Sequence, residues 1–565
     1  MAVTNPLNLR WWSSKKRSSL VALLLPVLLV PAAAATPDFA HDIAPIVYSK
    51  CAPCHYSGGP GPFPLTSYAE VRKHSLQIQT VTSSRYMPPW LPSEQPIHFA
   101  DELRLTDQQL QTISNWVRAG SPEGSSEVPT TPAPTTDETW RLGPPDLIVK
   151  AAQTFHVPAA GRDVFWNFIL TPQLTQGRFV RAIDIRPSNP KIVHHANVII
   201  DRTGSQRMRE TTPGQGFPGM DVTVLGSPLD LNGHFLFWKP GSIPWSEPDG
   251  LSWRLNPGND LILNMHLQPS GKPETELPTI ALYFTDKPPT RFPYLLQLEH
   301  DGSLDIPAGR SDFVITDSMK LPVDTEVLAV YPHAHYLGKL LEAWATKPDG
   351  TRVQLIRIPA WDPNWQAVYR YEQPLLLPAG TMVSMRYHYD NSSANPRNPH
   401  HPPKRVEGGN QATDEMGHLW LEVLPEKGRD ARRVYAEAWA HHQLEKYPDD
   451  YSANLTLGSL ALSRLHAQDA VEPLRKAVRL QPNDAIARNL YAESLDATGR
   501  MTEALAQFRL AVKQKPDFDN ARFNLAHALA RTGDKAGAIE NLRVILAAHH
   551  DDPAAKAYLD QLTAQ

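Results

Sequence analysis

The chain has 565 residues and a formal net charge of -4, so its charges are nearly balanced. This length predicts about three or four domains rather than one core. The balanced charge, with no long basic run after the N-terminus, argues against binding to nucleic acid or to an anionic lipid surface. The 54 prolines indicate a globular protein that is rich in turns and strand edges.

Residues 1–35 have the composition of a secretory signal peptide. Basic residues at 15–17 precede an apolar run over 20–30, and small alanines follow at 32–35. This order predicts export, with cleavage after the alanines. An uncleaved membrane anchor is the alternative, but the apolar run is shorter than the roughly 20 residues that a span needs. We therefore expect a periplasmic or secreted protein without a membrane span after cleavage.

The only two cysteines form the segment Cys51-Ala52-Pro53-Cys54-His55. C-x-x-C-H is the attachment signature of c-type haem, in which two thiols bind the porphyrin and the histidine binds the iron. A redox-active disulfide, with His55 incidental, is the alternative, but no βαβ pattern surrounds the segment. The spacing therefore predicts one covalently bound haem.

Met87, in a loop with two prolines, is the candidate for the second axial ligand, and simple packing is its alternative role. A helix predicted over Thr106–Ala119 would cover the haem with one apolar face. Residues 37–122 are accordingly predicted to form a small α-helical cytochrome c domain. Residues 123–143, rich in Ser, Pro, Thr and Glu, are predicted to form a linker.

Beyond this linker the pattern changes to short β-type runs such as Phe179–Ile185, Ile192–Ile200 and Asp260–Leu267. Turn residues separate these runs, and no helical period is present, which is typical of antiparallel β-sandwiches. The length suits two sandwiches, which we assign to residues 144–287 and 288–425.

Five histidines of this region stand in three short segments: His194 and His195, His266, and His333 with His335. Residues i and i+2 of a strand project from the same face, so His333 and His335 can bind one metal ion. Adjacent histidines can converge at a bulge or a strand end, with a third ligand from elsewhere. Imidazole suits copper and zinc, and a thioether partner favours Cu(I).

The segment 333–339, H-A-H-Y-L-G-K, resembles the H-x-H-x-L-G-K stretch of the copper type II, ascorbate-dependent monooxygenases, a family that includes peptidylglycine α-hydroxylating monooxygenase and dopamine β-monooxygenase. The segment 413–416, T-D-E-M, resembles the stretch that holds the copper-binding methionine of that family. His195 and His266, about 70 residues apart, follow in the order expected for its other copper ion. The resemblance covers residues 145–425, about half of the chain.

The resemblance implies two copper ions. His194, His195 and His266 would hold the electron-transfer copper, whereas His333, His335 and Met416 would hold the catalytic copper that binds O2. The implied reaction is hydroxylation of a C–H bond of an organic substrate, with ascorbate as a possible reductant.

Two positions depart from the family. Tyr331 stands where the peptidylglycine enzyme has an arginine for a substrate carboxylate, and Trp420 replaces a tyrosine. A peptide with a carboxylate at the binding position is therefore not the expected substrate. We expect an apolar or small molecule instead. Five further histidines of the region are expected to be structural: His234, His388, His400, His401 and His418. For His388 and His418, a role close to the metal ligands or the substrate is the alternative.

The C-terminal region has a 34-residue period, since Pro448, Pro482 and Pro516 are 34 residues apart. Helical pairs with this period resemble tetratricopeptide repeats, which predicts an α-solenoid over residues 430–565. Such a solenoid binds a protein partner or a second copy of the chain, or it covers the sandwiches as a structural cap.

The leading hypothesis is a copper monooxygenase that receives electrons through its own haem, through ascorbate or through a redox partner protein. The rival hypothesis is a periplasmic electron-transfer or copper-handling protein without enzymatic activity, docked through its repeats.

Overall fold

The computed structural model describes residues 36–100, 102–124, 140–220, 233–425, 430–550 and 552–564. The predicted signal peptide and most of the predicted linker lie outside the described residues. Within the described parts of the chain, no helix is long and apolar enough to cross a membrane.

The N-terminal unit consists of short helices around a small core. A π-helical turn, Phe39–Ile43, leads into α1 (Ala44–Lys50), and then follow α2 (Tyr68–Lys73), α3 (Ser75–Ser83) and α4 (Asp107–Arg118). Thr106 and Gln109 form a capping box, so α4 begins directly after Thr106. Phe39, Ile113 and Trp116 are buried together in the core. The helix predicted over 106–119 is confirmed to within one residue at each end.

The next unit contains two antiparallel sheets, ordered β1-β11-β4-β8 and β6-β3-β9-β5-β7, and a short β10-β2 pair. Both larger sheets contribute to one hydrophobic core, so they face each other. The strands are β1 (Leu147–Lys150), β2 (Phe155–Val157), β3 (Val164–Leu170), β4 (Arg178–Arg186), β5 (Val193–Asp201), β6 (Phe217–Pro218), β7 (Phe237–Trp238), β8 (Trp253–Leu255), β9 (Asp260–Leu267), β10 (Glu274–Glu276) and β11 (Thr279–Thr285).

The second β unit repeats this plan with sheets β12-β21-β15-β18 and β14-β19-β16-β17 around a second core, and a short β13-β20 pair. Its strands are β12 (Tyr294–Glu299), β13 (Asp305–Ile306), β14 (Phe313–Lys320), β15 (Thr325–Ala334), β16 (Gly338–Thr346), β17 (Arg352–Ile358), β18 (Tyr369–Leu377), β19 (Met382–Tyr389), β20 (Val406–Glu407) and β21 (Gly417–Pro425). The prediction of antiparallel sheets in the middle of the chain is confirmed.

The C-terminal region is a series of helices that pack on their sequence neighbours. They are α5 (Arg432–Lys446), α6 (Tyr451–Ser463), α7 (Ala467–Leu480), α8 (Ala485–Ala497), α9 (Met501–Gln514), α10 (Asp519–Arg531), α11 (Lys535–Ala548) and α12 (Pro553–Ala564). Three alanines at the 34-residue interval, Ala470, Ala504 and Ala538, are fully buried between helices. Small residues at these positions let neighbouring helices approach closely.

Helix α5 joins the helical region to the second β unit. The ring of Tyr435 stacks on Tyr294 of β12, with 5.7 Å between the centroids, and its hydroxyl lies 2.7 Å from the hydroxyl of Thr325. Near the end of α5, Lys446 donates to the carboxylates of Glu299 and Asp317 at 3.2 and 2.8 Å. Because all three of these charged side chains are at least 89% buried, the ammonium group compensates two desolvated carboxylates.

Replacing Lys446 with methionine should destabilise this junction, because it removes the cation that two buried carboxylates share. The expected loss is about 3–5 kcal/mol in the free energy of unfolding. Urea unfolding of the full chain measures it.

Lys272→Met is the matched control. The Lys272 side chain is 73% exposed and pairs with Glu274 at 3.4 Å, so its removal should cost less than about 1 kcal/mol. Equal losses in the two variants would contradict the role given to Lys446.

Candidate metal centre and cysteine cavity

Three histidines meet where β5 pairs with β9. His195 lies opposite His266 whereas Val193 lies opposite Leu267, so His194 is an extra residue in a β-bulge. Consecutive residues of a regular strand point to opposite faces, and the bulge removes this restriction. One ring nitrogen of each histidine lies within 4.8 Å of the others, so the sequence-predicted group is brought together.

The ring nitrogens of this group are arranged as metal ligands would be. The Nδ1 atoms of His194 and His195 are 3.0 Å apart, a separation that fits two ligands of one ion bound at about 2.0–2.1 Å. Nε2 of His266 is 2.7 Å from a carboxylate oxygen of Asp163. This contact orients the ring, and Nδ1 of His266 is buried without a hydrogen-bond partner among the described residues.

Burial also favours the neutral form of His194 and His195. Burial, together with the neighbouring His266, lowers the pKa of His194 to about 4 and lowers the pKa of His195 well below its ordinary value. Only a neutral imidazole has a free lone pair for a metal ion. The three histidines can therefore hold an ion such as copper or zinc.

The second group lies at the end of β15. Nδ1 of His333 donates to Oε1 of Gln366 at 2.8 Å, and Nδ1 of His335 donates to the carbonyl oxygen of Asp414 at 3.0 Å. With both Nδ1 atoms engaged as donors, each ring has its Nε2 lone pair available for a ligand. The two ring centroids are 5.2 Å apart, so the predicted pair shares one location.

Met416 is held beside this pair by Glu415. The fully buried Glu415 carboxylate accepts the backbone N–H groups of His335, Leu337 and Met416, the last two at 2.9 Å. Gly417, the residue after Met416, pairs with Ala334 across β15 and β21. One buried side chain thus positions both His335 and the thioether that the sequence predicted as its partner.

Both groups line one cavity of about 450 Å³ between the two β units. Gln366 lies between them, since its Nε2 is 3.2 Å from Nδ1 of His195 while its Oε1 accepts from His333 and from the Tyr331 hydroxyl. Tyr331 and Trp420 face each other across the paired strands and line the same cavity. One cavity therefore brings together both candidate ligand groups and two aromatic side chains.

The five further histidines named in the sequence analysis divide into two sets by whether they line this cavity. His418 and His234 line the cavity; the first is 2.6 Å from a carboxylate oxygen of Asp301, and the second contacts the carbonyl oxygen of Leu251. The other three are not among the residues that line this cavity: His388, His400 and His401.

A separate cavity of about 490 Å³ is lined by Cys51, Cys54, His55 and Met87. Nδ1 of His55 donates to the carbonyl oxygen of Phe63 at 2.9 Å, which leaves Nε2 of His55 for another partner. Burial raises the pKa of Cys51 to about 12 and also raises that of Cys54. Reactive dithiols have lowered pKa values, so this environment disfavours the redox-disulfide alternative. The residues present fit a covalently attached haem.

Three residues that orient the candidate ligands were missed by the sequence analysis: Asp163, Gln366 and Glu415. Glu415 stands next to Met416 within a segment that was singled out, so its position was available as a signal. Asp163 and Gln366 lie in no motif. The pairing of β3 with β9 brings Asp163 to His266, and the packing of the two β units brings Gln366 to His195.

The C-terminal helices are similar to known repeat proteins. Family models of the tetratricopeptide repeat match residues 455–519 and 495–562. Peroxisomal targeting signal receptors from Kluyveromyces lactis and Candida glabrata are 31% and 30% identical over 100 residues, 18% of this chain and 18% and 17% of theirs. The chain thus spans less than a fifth of the length of these curated relatives.

One solved structure, YrrB, a TPR protein with an unusual peptide-binding site, is 24% identical. The match covers 22% of this chain and 65% of that chain, with a TM-score of 0.21. The predicted tetratricopeptide repeats are confirmed by the family models, and repeats of this kind indicate a protein-interaction region.

Asp163→Asn should weaken metal binding at the three-histidine group about 10–100-fold, because the charged partner that orients His266 is lost. Competition with a chelator for Cu²⁺ or Zn²⁺ measures the affinity.

The control is Asp312→Asn, which removes a similar contact of 2.8 Å to His388, away from the cavity. Unchanged affinity in Asp163→Asn, or an equal decrease in Asp312→Asn, would contradict the assignment.

Proposed function

We propose that the protein is a copper-dependent monooxygenase that hydroxylates a C–H bond with O2. The observation that carries the proposal is the single cavity lined by two different ligand sets. One set offers three imidazoles, and the other offers His333, His335 and the thioether of Met416. A protein that only carried electrons between two equivalent copper ions would not need two different ligand sets.

The chemistry of the donors supports a division of roles. Thioether sulfur stabilises Cu(I), the state that reacts with O2, whereas three imidazoles accept both oxidation states. Copper at these positions would supply O2 activation and single-electron transfer. The chain orients the ligands through Asp163, Gln366 and Glu415, and mainly apolar surface lines the cavity.

Electrons are proposed to come from a c-type haem in the same chain, from ascorbate or from a redox partner protein. Cys51 and Cys54 would attach the haem, and His55 and Met87 would be its axial ligands. Fusion of donor and acceptor raises their effective concentration without any new contact.

The substrate is proposed to be an uncharged, mainly apolar molecule. Among the described residues that line the cavity, none is Arg, Lys, Asp or Glu. Phe165, Phe235, Phe237, Tyr331 and Trp420 supply aromatic surface instead. A substrate carboxylate would find no cationic side chain among these residues, and desolvation of a carboxylate without such a partner is costly.

The proposed location is the periplasm or the cell exterior, in keeping with the composition of residues 1–35. The repeats are proposed to dock a protein partner or a second copy of the chain. Helix α5 fixes this platform to the second β unit, so docking would not disturb the cavity.

Met416→Leu preserves volume but removes the thioether. In copper-loaded, reduced protein we expect substrate-dependent oxygen uptake to fall more than about 100-fold, because the ligand itself is lost. An oxygen electrode measures uptake, and metal analysis of the unaltered protein should give two copper ions and one haem iron per chain.

Met319→Leu, at another buried methionine in the core of the second β unit, is the control and should leave oxygen uptake unchanged. No oxygen uptake by the unaltered copper-loaded protein with any candidate substrate would favour the non-enzymatic alternative. Zinc in place of copper would overturn the proposal.

Ethylbenzene and 3-phenylpropanoate test the substrate class, since they differ by a carboxylate on the same aromatic frame. We expect the neutral compound to stimulate oxygen uptake at least about tenfold more than the anion, because no Arg or Lys stands among the described residues that line the cavity. A preference for the anion would contradict the proposed class.

A further inference from the structure

The histidine cavity and the cysteine cavity share one wall residue, His194. On one side, Nδ1 of His194 faces Nδ1 of His195 within the three-histidine group. On the other side, the His194 side chain lines the cavity that also contains Cys51, Cys54, His55 and Met87. The β-bulge that brings His194 into the metal group therefore also places it against the second cavity.

The cysteine cavity is not a property of the helical unit alone. Its far wall includes Asn364 and Trp365 from the second β unit and, from the first, positions 190, 191, 193, 194, 240, 241, 243 and 268. A group bound there would contact the helical unit and both β units.

The first β unit touches the cysteine segment directly. Gly241 has φ +82°, and a Cβ atom at this position would lie 2.1 Å from Sγ of Cys54. The close approach of this loop therefore requires glycine. Beside it, a guanidinium nitrogen of Arg141 donates to the carbonyl oxygen of Pro53 at 3.1 Å.

The second β unit holds the helical unit from another side. The backbone N–H of Ser93 donates to the carbonyl oxygen of Arg357 at 2.8 Å, and Phe99 forms a β-bridge with Tyr371. Trp90 meets the ring of Tyr369 edge to face at 5.3 Å. With contacts on both β units, the cysteine cavity is held at a fixed distance from the histidines.

We propose that electrons enter the three-histidine metal through the imidazole of His194, and that the loop at Gly241 holds the haem unit at this wall. The inference rests on the proposed function, because it assumes haem in one cavity and copper in the other. In each transfer, a ferrous haem loses one electron and becomes ferric, and a cupric ion gains that electron and becomes cuprous. No bond is made or broken, and the route lies within one chain.

Gly241→Ala tests the route, because its methyl group would force the loop away from Cys54. Gly258→Ala is a closely matched control: Gly258 has φ +81°, so the backbone strain is the same, but a Cβ atom there meets nothing within 4 Å. The holoprotein is prepared without oxygen with ferrous haem and cupric copper, and haem oxidation is followed by absorbance after mixing.

In the unaltered protein and in Gly258→Ala we expect haem oxidation to be first order, with a rate independent of protein concentration. In Gly241→Ala it should be slower by about tenfold or more, because small displacements of reacting groups carry large rate penalties. The copper spectrum in electron paramagnetic resonance should be unchanged, which shows that the three histidines still bind the ion.

Arg141→Met is a second variant that loosens the same contact without backbone strain, by removing the hydrogen bond to Pro53. It should also slow haem oxidation, with haem content and copper spectrum unchanged. If Gly241→Ala does not fold, this variant alone tests the route.

Wild-type rates of haem oxidation in the folded variants would overturn the route, as would a rate proportional to protein concentration in the unaltered protein. Either result leaves the proposed function standing if ascorbate sustains oxygen uptake. Protein that binds haem but no copper would overturn the proposed function and the route together.

Discussion

The site depends on a shift of one residue in the pairing of two strands. Where β5 runs beside β9, the register changes between Val193 and His195, and His194 becomes a bulge. Without that extra residue, the alternation of a regular strand would point one of the adjacent histidines away from His266. His194 also lines the cavity of the cysteine segment. The bulge therefore gives the metal group its third candidate ligand and also connects the group to the cysteine cavity.

Hydrogen bonds then select which nitrogen of each ring is available. Asp163 contacts Nε2 of His266, whereas Gln366 and the Asp414 carbonyl occupy Nδ1 of His333 and His335. The two groups therefore present different ring atoms to one cavity. A carboxylate, an amide and a backbone carbonyl differ in charge and reach, which gives each proposed ion its own environment.

Long-range contacts keep these parts in place. The helical unit contacts both β units, and α5 fixes the repeats to β12 and β14 through a buried cation between two carboxylates. Separating α5 from the second β unit would leave buried charges without their partners, which costs free energy. The network therefore favours one arrangement of α5 on this unit.

The sequence by itself determined what depends on residues close together in the chain. The helix α4, the strands β4, β5 and β9, and the 34-residue period all follow from local spacing, and the structure or the family models confirm them. The candidate ligands were also named from short motifs, and the fold brings each of them to one of two cavities. The haem and copper themselves stay predictions.

Only the tertiary structure decided which distant residues support those ligands. Asp163 is 103 residues from His266, Gln366 is 171 residues from His195, and Glu415 is 80 residues from His335. No periodicity links such pairs, because their proximity is set by sheet packing and by the docking of one unit on another. The shared wall at His194 has the same origin: it requires the cysteine segment and the bulged strand to meet, which is a property of the assembled units and not of either segment.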